Sequence, residues 1–398
     1  MEIFRLINRG VSRRQSAFFL TTRRSAPYPR EILPLVSLLA RSNVAQRRGF
    51  VEIPAVLLPP VVFTGLVFCL WTWKCFMMVI FQNKIIYMPG IPPNARREKI
   101  SDYKNQCAGI QWREEKIRSL DSTPISLCVA SVESNAVDFQ RRKDVYILYF
   151  QGNASSLPPR LPFLSPVLRL LRTRANASDL NIRYTMVCCS YRGYWTSGGR
   201  ATEKGIALDA AASLGWIKQF HQSQYKTYND EVISVVIWGQ SIGAGVATSL
   251  ASKKTLFSDG LNLKQLILET PFLSIRSMLE TLYPQKWLPY RYLWPFLRNH
   301  LDSETALGLL HARFGTKSPP VLIVEAGKDE LVPSSHARIL EERCLDLGLV
   351  VEKKVVHGAL HTEVLVRQEG ISSVASAIEE VGRTLNDTSC KNSLKTQD

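Results

Sequence analysis

One junction constrains this chain more than any other. Residues 232–238 are apolar and β-branched; they run at once into Gly239-Gln-Ser-Ile-Gly243 and then into the helix-forming residues 244–251. A buried strand that feeds a Gly-flanked serine and then a helix is the context in which G-x-S-x-G marks a nucleophile. The turn is so tight that Ser241 must take strained backbone geometry, and side chains at 239 and 243 would strike neighbouring backbone. Such a bend presents the serine Oγ at the N-terminus of the next helix, whose positive end favours developing negative charge. Ser241 is therefore the candidate nucleophile, and the rest of the chain must supply a sheet to hold it.

The patterning supplies one. Residues 110–120 and 125–132 predict two strands joined as a hairpin at Asp121-Ser-Thr-Pro124. Buried strands follow at 145–150, 184–189, 266–268, 321–326 and 350–356, with helices at 201–220 and 371–384. Strands alternating with helices after an antiparallel start predict an α/β protein with a mostly parallel sheet.

A serine alcohol needs a base, and the base needs an orienting carboxylate. Of six histidines, His361 is preferred because it follows the last strand and the small residues of His357-Gly-Ala-Leu360 let its ring reach back over the strand ends; His357 is the rival. Strand 321–326 opens into Gly327-Lys-Asp-Glu-Leu-Val-Pro333, which places Asp329 just past a strand end, with the longer Glu330 as alternative. Two donors are needed for an oxyanion: the backbone N–H of Ile242, directly after the serine, and that of Asn153, in the loop turned by Gly152 after strand 145–150. Residues 271–300 are dense in Trp, Tyr, Phe and Pro; they read either as an apolar wall for an acyl chain or as a packed structural subdomain.

Charge is located, not general. The chain carries +16, and residues 1–50 contribute half of it, with ten Arg, no Lys and only Glu2 and Glu31. An Arg-rich, acid-poor start with interspersed Ile3, Phe4 and Leu6 has the composition of a mitochondrial presequence. Residues 53–73 lack charge, and beyond Lys74 the apolar run continues to 81, so 53–81 is a transmembrane anchor whose firm part is 61–81. Basic residues weigh more before the span than after it, which leaves the N-terminus in matrix or cytosol. Residues 82–105, with Pro89, Gly90, Pro92 and Pro93, read as an extended connector, and 386–398 as a polar tail. No basic-aromatic module points to nucleic acid, and eight cysteines without C-x-x-C point neither to zinc nor to a redox pair.

Gly239-Gln-Ser-Ile-Gly243, Asp329-Glu-Leu-Val-Pro333, His361-Thr-Glu363 and Tyr149-Phe-Gln-Gly-Asn-Ala154 together resemble the α/β-hydrolase superfamily. Phe81-Gln-Asn-Lys-Ile-Ile-Tyr-Met-Pro89 and Ser190-Tyr-Arg-Gly-Tyr194 narrow the resemblance, over about residues 81–385, to membrane-anchored serine hydrolases related to the fungal bud-emergence suppressor and to animal α/β-hydrolase-domain proteins. Such proteins commonly have His-Gly-Asn where this chain has Gln151-Gly-Asn, and His-Asn-Asp where it has His361-Thr-Glu; both departures bear on substrate more than on activity. The resemblance implies an α/β-hydrolase fold over residues 106–385: a mostly parallel central sheet flanked by helices, an antiparallel N-terminal hairpin and a small lid at about 271–300. It also implies hydrolysis of a carboxylic ester or thioester, of a lipid above all, by Ser241, Asp329 and His361 with no metal or cofactor. A peptidase or amidase on the same fold and a non-catalytic membrane scaffold remain as alternatives, and no protein partner is indicated.

Overall fold

The apolar runs meet in one eight-stranded sheet in the computed structural model. The structure describes residues 54–135, 142–225, 232–257 and 260–395, the last ten as backbone alone; the basic stretch 1–50, residues 51–53 and 396–398 lie outside the described residues. The chain divides into two units, Met1–Val61 and Val62–Asp398. Of the first, only residues 54–61 are described, and they open the long apolar helix.

In chain order the strands are β1 (Arg113–Arg118), β2 (Pro124–Glu133), β3 (Lys143–Phe150), β4 (Ile182–Ser190), β5 (Ile233–Gln240), β6 (Leu261–Glu269), β7 (Val321–Ala326) and β8 (Val351–Val356). The helices are α1 (Leu58–Ile80), α2 (Gln82–Tyr87), α3 (Ile100–Tyr103), α4 (Leu161–Ala177), α5 (Glu203–Gln224), α6 (Ile242–Ala251), α7 (Ile275–Leu282), α8 (Ser303–Phe314), α9 (Ser334–Asp346) and α10 (Gln368–Lys395). Strand order is β1-β2-β4-β3-β5-β6-β7-β8, antiparallel through β1-β2-β4 and parallel thereafter.

Every residue of β4 and β5 is buried, as a parallel sheet covered on both faces requires. Alternation along β3 sends Tyr146, Leu148 and Phe150 into one core, under α5, α6 and α9, and Val145, Ile147 and Tyr149 into the other, under α4 and α10. The register aligns Phe150 with Gly239, Gln240 with Glu269, Glu269 with Val324 and Ala326 with Val356, so the carboxyl ends of five strands share one rim. Ligands of open α/β sheets bind outside such a rim.

The predicted strands and the hairpin are present. β6 extends from Leu261 to Glu269, beyond the predicted 266–268 at both ends. The predicted extended connector is in part helical, as α2, α3 and two short 3-10 turns, and it packs down: Tyr87 is fully buried. Helices α4, α8 and α9 arise where no helix was predicted. Pro162 and Pro166 mask α4, whose Leu164, Val167, Leu168 and Leu171 still fall on one buried face. Cys69, Cys75, Cys107, Cys128, Cys188, Cys189 and Cys344 are free thiols.

The loop after β4 is held by one side chain. Arg192 donates from Nη2 to Asp209 Oδ1 at 2.8 Å and from its backbone N–H to Oδ2 at 2.9 Å, while Nη1 reaches Asp121 of the β1–β2 hairpin at 2.7 Å. The Asp209 side chain has no exposure, so its charge depends on that guanidinium. Removing one partner of a buried pair costs about 3–5 kcal/mol. Arg192→Ala should lower stability by that order in thermal unfolding; a loss under about 1 kcal/mol, the range of exposed pairs, would show that the network does not hold the loop.

Candidate active site

At the end of β5 the backbone bends as the pattern requires. Ser241 has φ 52° and ψ −117°, a conformation that costs energy for a residue with a Cβ. The surroundings impose it. A Cβ on Gly239 would lie 2.0 Å from the carbonyl oxygen of Gly243, and one on Gly243 would lie 2.1 Å from that of Phe150. The Ser241 N–H donates to the carbonyl of Glu269 at 2.8 Å, which pins the turn to the neighbouring strand end.

His361 and Asp329 meet across the rim. His361 Nδ1 lies 2.8 Å and 3.0 Å from the two Asp329 carboxylate oxygens, an arrangement in which Nδ1–H donates and Nε2 is left with its lone pair. Asp329 also accepts from the N–H groups of Val332 at 2.8 Å and Leu331 at 2.9 Å, which fix the carboxylate in the loop. Burial pushes the Asp329 carboxyl up, but the hydrogen bond from His361 and those backbone donors outweigh it and hold the pKa below its ordinary value. The alternatives separate by geometry. Glu330 accepts the backbone N–H of His361 at 3.0 Å, and His357, whose side chain is 86% exposed, bonds Glu369 on the surface.

Ser241 and His361 line one cavity of about 350 Å³, together with Asn153 and Ile242. The Ser241 hydroxyl makes no hydrogen bond among the described residues; a nucleophile–base bond is commonly long or misaligned until substrate is in place. The backbone N–H groups of Ile242 and Asn153 are likewise unengaged among the described residues. Gly152 does not make the turn that was expected of it. A Cβ there would meet only ordinary contacts at 3.6 Å, and the left-handed residues are Ala154 (φ 57°) and Ser155 (φ 60°). The connector holds them: Ala154 N–H donates to the carbonyl of Tyr87 at 2.9 Å, while Tyr191 O–H holds the carbonyl of Gln151 at 2.8 Å.

The rest of the cavity is apolar. Ile275, Met278 and Leu279 of α7, with Leu293 and Phe296, line it together with Met78, Val79, Ile85 and Ile86. The aromatic segment 271–300 is thus an apolar wall in part, and a packed one: Tyr290 is buried against Tyr283 at 5.2 Å.

A parallel sheet entered by a hairpin, with a strained serine after β5 and an Asp–His pair after β7 and β8, is the architecture of the α/β-hydrolase fold. The curated homologues of the chain include the bem46 and ABHD12/WAV2 α/β-hydrolase-domain proteins. The chain is 28% identical over 267 residues to "Protein bem46" of Schizosaccharomyces pombe, covering 66% of this chain and 75% of that one. It is 35% identical over 156 residues to "Lysophosphatidylserine lipase ABHD12" of Danio rerio, covering 38% of this chain but only 37% of that one. Among solved structures, an α/β-hydrolase from Vibrio vulnificus superposes with a TM-score of 0.52 at 16% identity, over 75% of this chain and 92% of that one. No family model matches the chain.

One residue at the rim had no place in the predicted set. Glu269, the last of β6, is fully buried; its Oε2 accepts Trp238 Nε1–H at 3.0 Å, and its Oε1 has no partner among the described residues. Its sequence signal is a lone acid between an apolar run and Thr270-Pro271, one residue beyond the predicted strand. Burial pushes its carboxyl up to about 7, against the opposing pull of Arg160, the Trp238 N–H and His361. A folded-state pKa raised above the ordinary 4.5 contributes stability that is present below 4.5 and lost as pH climbs toward 7. Glu269→Gln keeps an acceptor for Trp238 and removes that loss. Its unfolding free energy should therefore gain on wild type by on the order of 3 kcal/mol across that window, read by urea denaturation in detergent. Parallel curves for the two proteins would refute a buried, titrating Glu269.

Proposed function

We propose that the protein is a membrane-anchored serine hydrolase that cleaves carboxylic esters or thioesters, chiefly of lipids, through an acyl-Ser241 intermediate. The observation that carries this reading is the His361 ring, held by Asp329 through Nδ1 while it lines the same cavity as the strained Ser241. In the reaction, His361 Nε2 takes the proton of the Ser241 hydroxyl as Oγ bonds to the acyl carbon. The oxyanion accepts from the N–H groups of Ile242 and Asn153, at the N-terminus of α6. When the intermediate collapses, the C–O or C–S bond breaks and His361 returns its proton to the leaving oxygen or sulfur. Water, deprotonated by the same ring, then attacks the acyl-serine; the acid departs and the proton returns to Ser241. Asp329 fixes the tautomer and offsets the charge of the imidazolium. No step calls for a metal or cofactor.

The lipid reading is supported by the apolar cavity walls and by the relative named as a lysophosphatidylserine lipase. The membrane reading is supported by α1, whose 23 residues include only Lys74 as a charge and expose their apolar side chains. At ~1.5 Å per residue it spans about 35 Å, enough for a hydrocarbon core of roughly 30 Å. The Arg-rich, acid-poor residues 1–50 support a mitochondrial address, with the inner membrane favoured and the endoplasmic reticulum as alternative.

A fluorophosphonate probe should label wild type and leave Ser241→Ala unlabelled, and Asp329→Asn should lower kcat by about 10⁴-fold. An unlabelled wild type would favour a non-catalytic scaffold, and turnover of peptides but not of esters or thioesters would favour a peptidase. For location, a fluorescent fusion lacking residues 1–50 should lose mitochondrial import; unchanged distribution would set the mitochondrial address aside.

A further inference from the structure

The anchor helix does more than tether. We propose that the C-terminal end of α1 and the start of the connector form one wall of the acyl-chain subsite, so that a single acyl chain reaches Ser241 from the bilayer by sliding along the anchor. This rests on the proposed roles of Ser241 as nucleophile and of α1 as a membrane span, and it adds the route and the form of the substrate.

The walls come first. Met78 and Val79 of α1, with Ile85 and Ile86 of α2, line the same cavity as Ile275 and Met278 of α7 and as Ser241 and His361. Gln82, the polar side chain on the anchor wall, is used up internally. Its Nε2 donates to the carbonyls of Val79 at 3.0 Å and Phe296 at 3.1 Å, and its Oε1 accepts from the N–H of Arg298 at 2.7 Å. Apart from Tyr283, a ligand therefore meets apolar side chains except at Asn153, Ser241 and His361, which is the polarity profile of an acyl chain ending in an ester. A volume of about 350 Å³ lies near the lower bound of ligand cavities, ~300–1,000 Å³, and suits one chain rather than two.

That wall is fastened to the aromatic segment 271–300, the cap of the site. Arg298 Nη2 donates to the last carbonyls of α1, those of Val79 and Ile80, both at 3.0 Å, where a cation also favours the negative end of the helix. Asn299 Nδ2 donates to Asn83 Oδ1 at 2.6 Å, and the Lys74 ammonium stands 4.3 Å from the centre of the Tyr290 ring. The anchor and the cap thus meet the substrate as one surface.

The mouth of the cavity points to the solvent it suits. Leu282 and Phe296 line the cavity and are each 60% exposed, and Ile85 and Leu331 are 50% and 47% exposed. In water that rim would be a standing hydrophobic cost; in lipid it is not. Around it, Trp287 (66% exposed) touches Trp71 of α1 at 5.6 Å, and Tyr292 and Trp294 are also exposed. Trp and Tyr concentrate where bilayer meets water. Through the Trp71–Trp287 contact these exposed aromatics continue the apolar surface of the span.

The test uses the full chain. In mixed micelles, with active sites titrated by a fluorophosphonate, Val79→Trp narrows the anchor wall and Met278→Trp the cap wall. Both should lower the ratio of kcat/KM for p-nitrophenyl palmitate over acetate at least tenfold, and Val79→Ala, which keeps the helix, should raise it. A ratio that moves with Met278→Trp but with neither Val79 variant would overturn the anchor wall. In phosphatidylcholine vesicles holding wild type, palmitate-ester turnover should follow the mole fraction of ester in the bilayer at constant bulk concentration; turnover that tracks bulk concentration instead would overturn entry from the membrane. A wild type that neither binds the fluorophosphonate nor cleaves the acetate ester fails as a serine hydrolase, a result distinct from both.

Discussion

Backbone packed against backbone at the end of β5 is the constraint on which the rim depends. Gly239 and Gly243 sit so close to neighbouring carbonyls that even a methyl group would have no room. The closeness of β3, β5 and the first turn of α6 leaves Ser241 no conformation except the strained one it adopts. The strain is borne by the sheet. The fully buried β5 is paired on both sides, with β3 and β6, to their last residues, and that ladder holds the turn against the roughly one to three kcal/mol that such a conformation costs. A serine on a surface loop would relax out of this geometry; here it cannot.

Each further group at the rim is placed by a separate strand end, and each is secured from outside the sheet. Asp329 is fixed by two backbone donors from its own loop, and His361 by Asp329 through its ring and Glu330 through its backbone. The Asn153 loop is held by Tyr87 from a segment far upstream and by Tyr191 from the loop after β4. The connector between the apolar helix and the sheet is therefore part of the site's scaffolding, and Arg298, Gln82 and Asn299 extend that scaffolding into α1. Beside Ser241, whose N–H it holds through its backbone carbonyl, Glu269 adds a buried carboxyl that burial pushes up to about 7.

Much of this was legible in the residues because local sterics and periodicity leave few choices. The strands at 145–150, 184–189, 232–238 and 321–326 read directly as apolar β-branched runs, since a strand buried on both faces needs no polar alternation. The glycine-flanked serine, the acid after one strand and the histidine after the last were legible as types at positions. Helix α4 was not, because its prolines outweigh its apolar face in the pattern, and the turn attributed to Gly152 belongs to Ala154 and Ser155, whose left-handed backbone is imposed by Tyr87 and Ile91 from the connector.

What the sequence determined by itself is the chemistry available: a bent junction that only glycines permit, two histidines just after the last strand, and an apolar run long enough to span a bilayer. It preferred His361 to His357 and Asp329 to Glu330, with the second of each pair kept as a rival because both members lie within a few residues of the same strand end. Tertiary structure separates the members of each pair by direction, turning His357 to the surface and Glu330 to a backbone N–H while Asp329 meets the His361 ring. It alone brought residues 78–86 against residues 275–297 around one cavity, since a contact across some two hundred residues leaves no periodic trace in the chain.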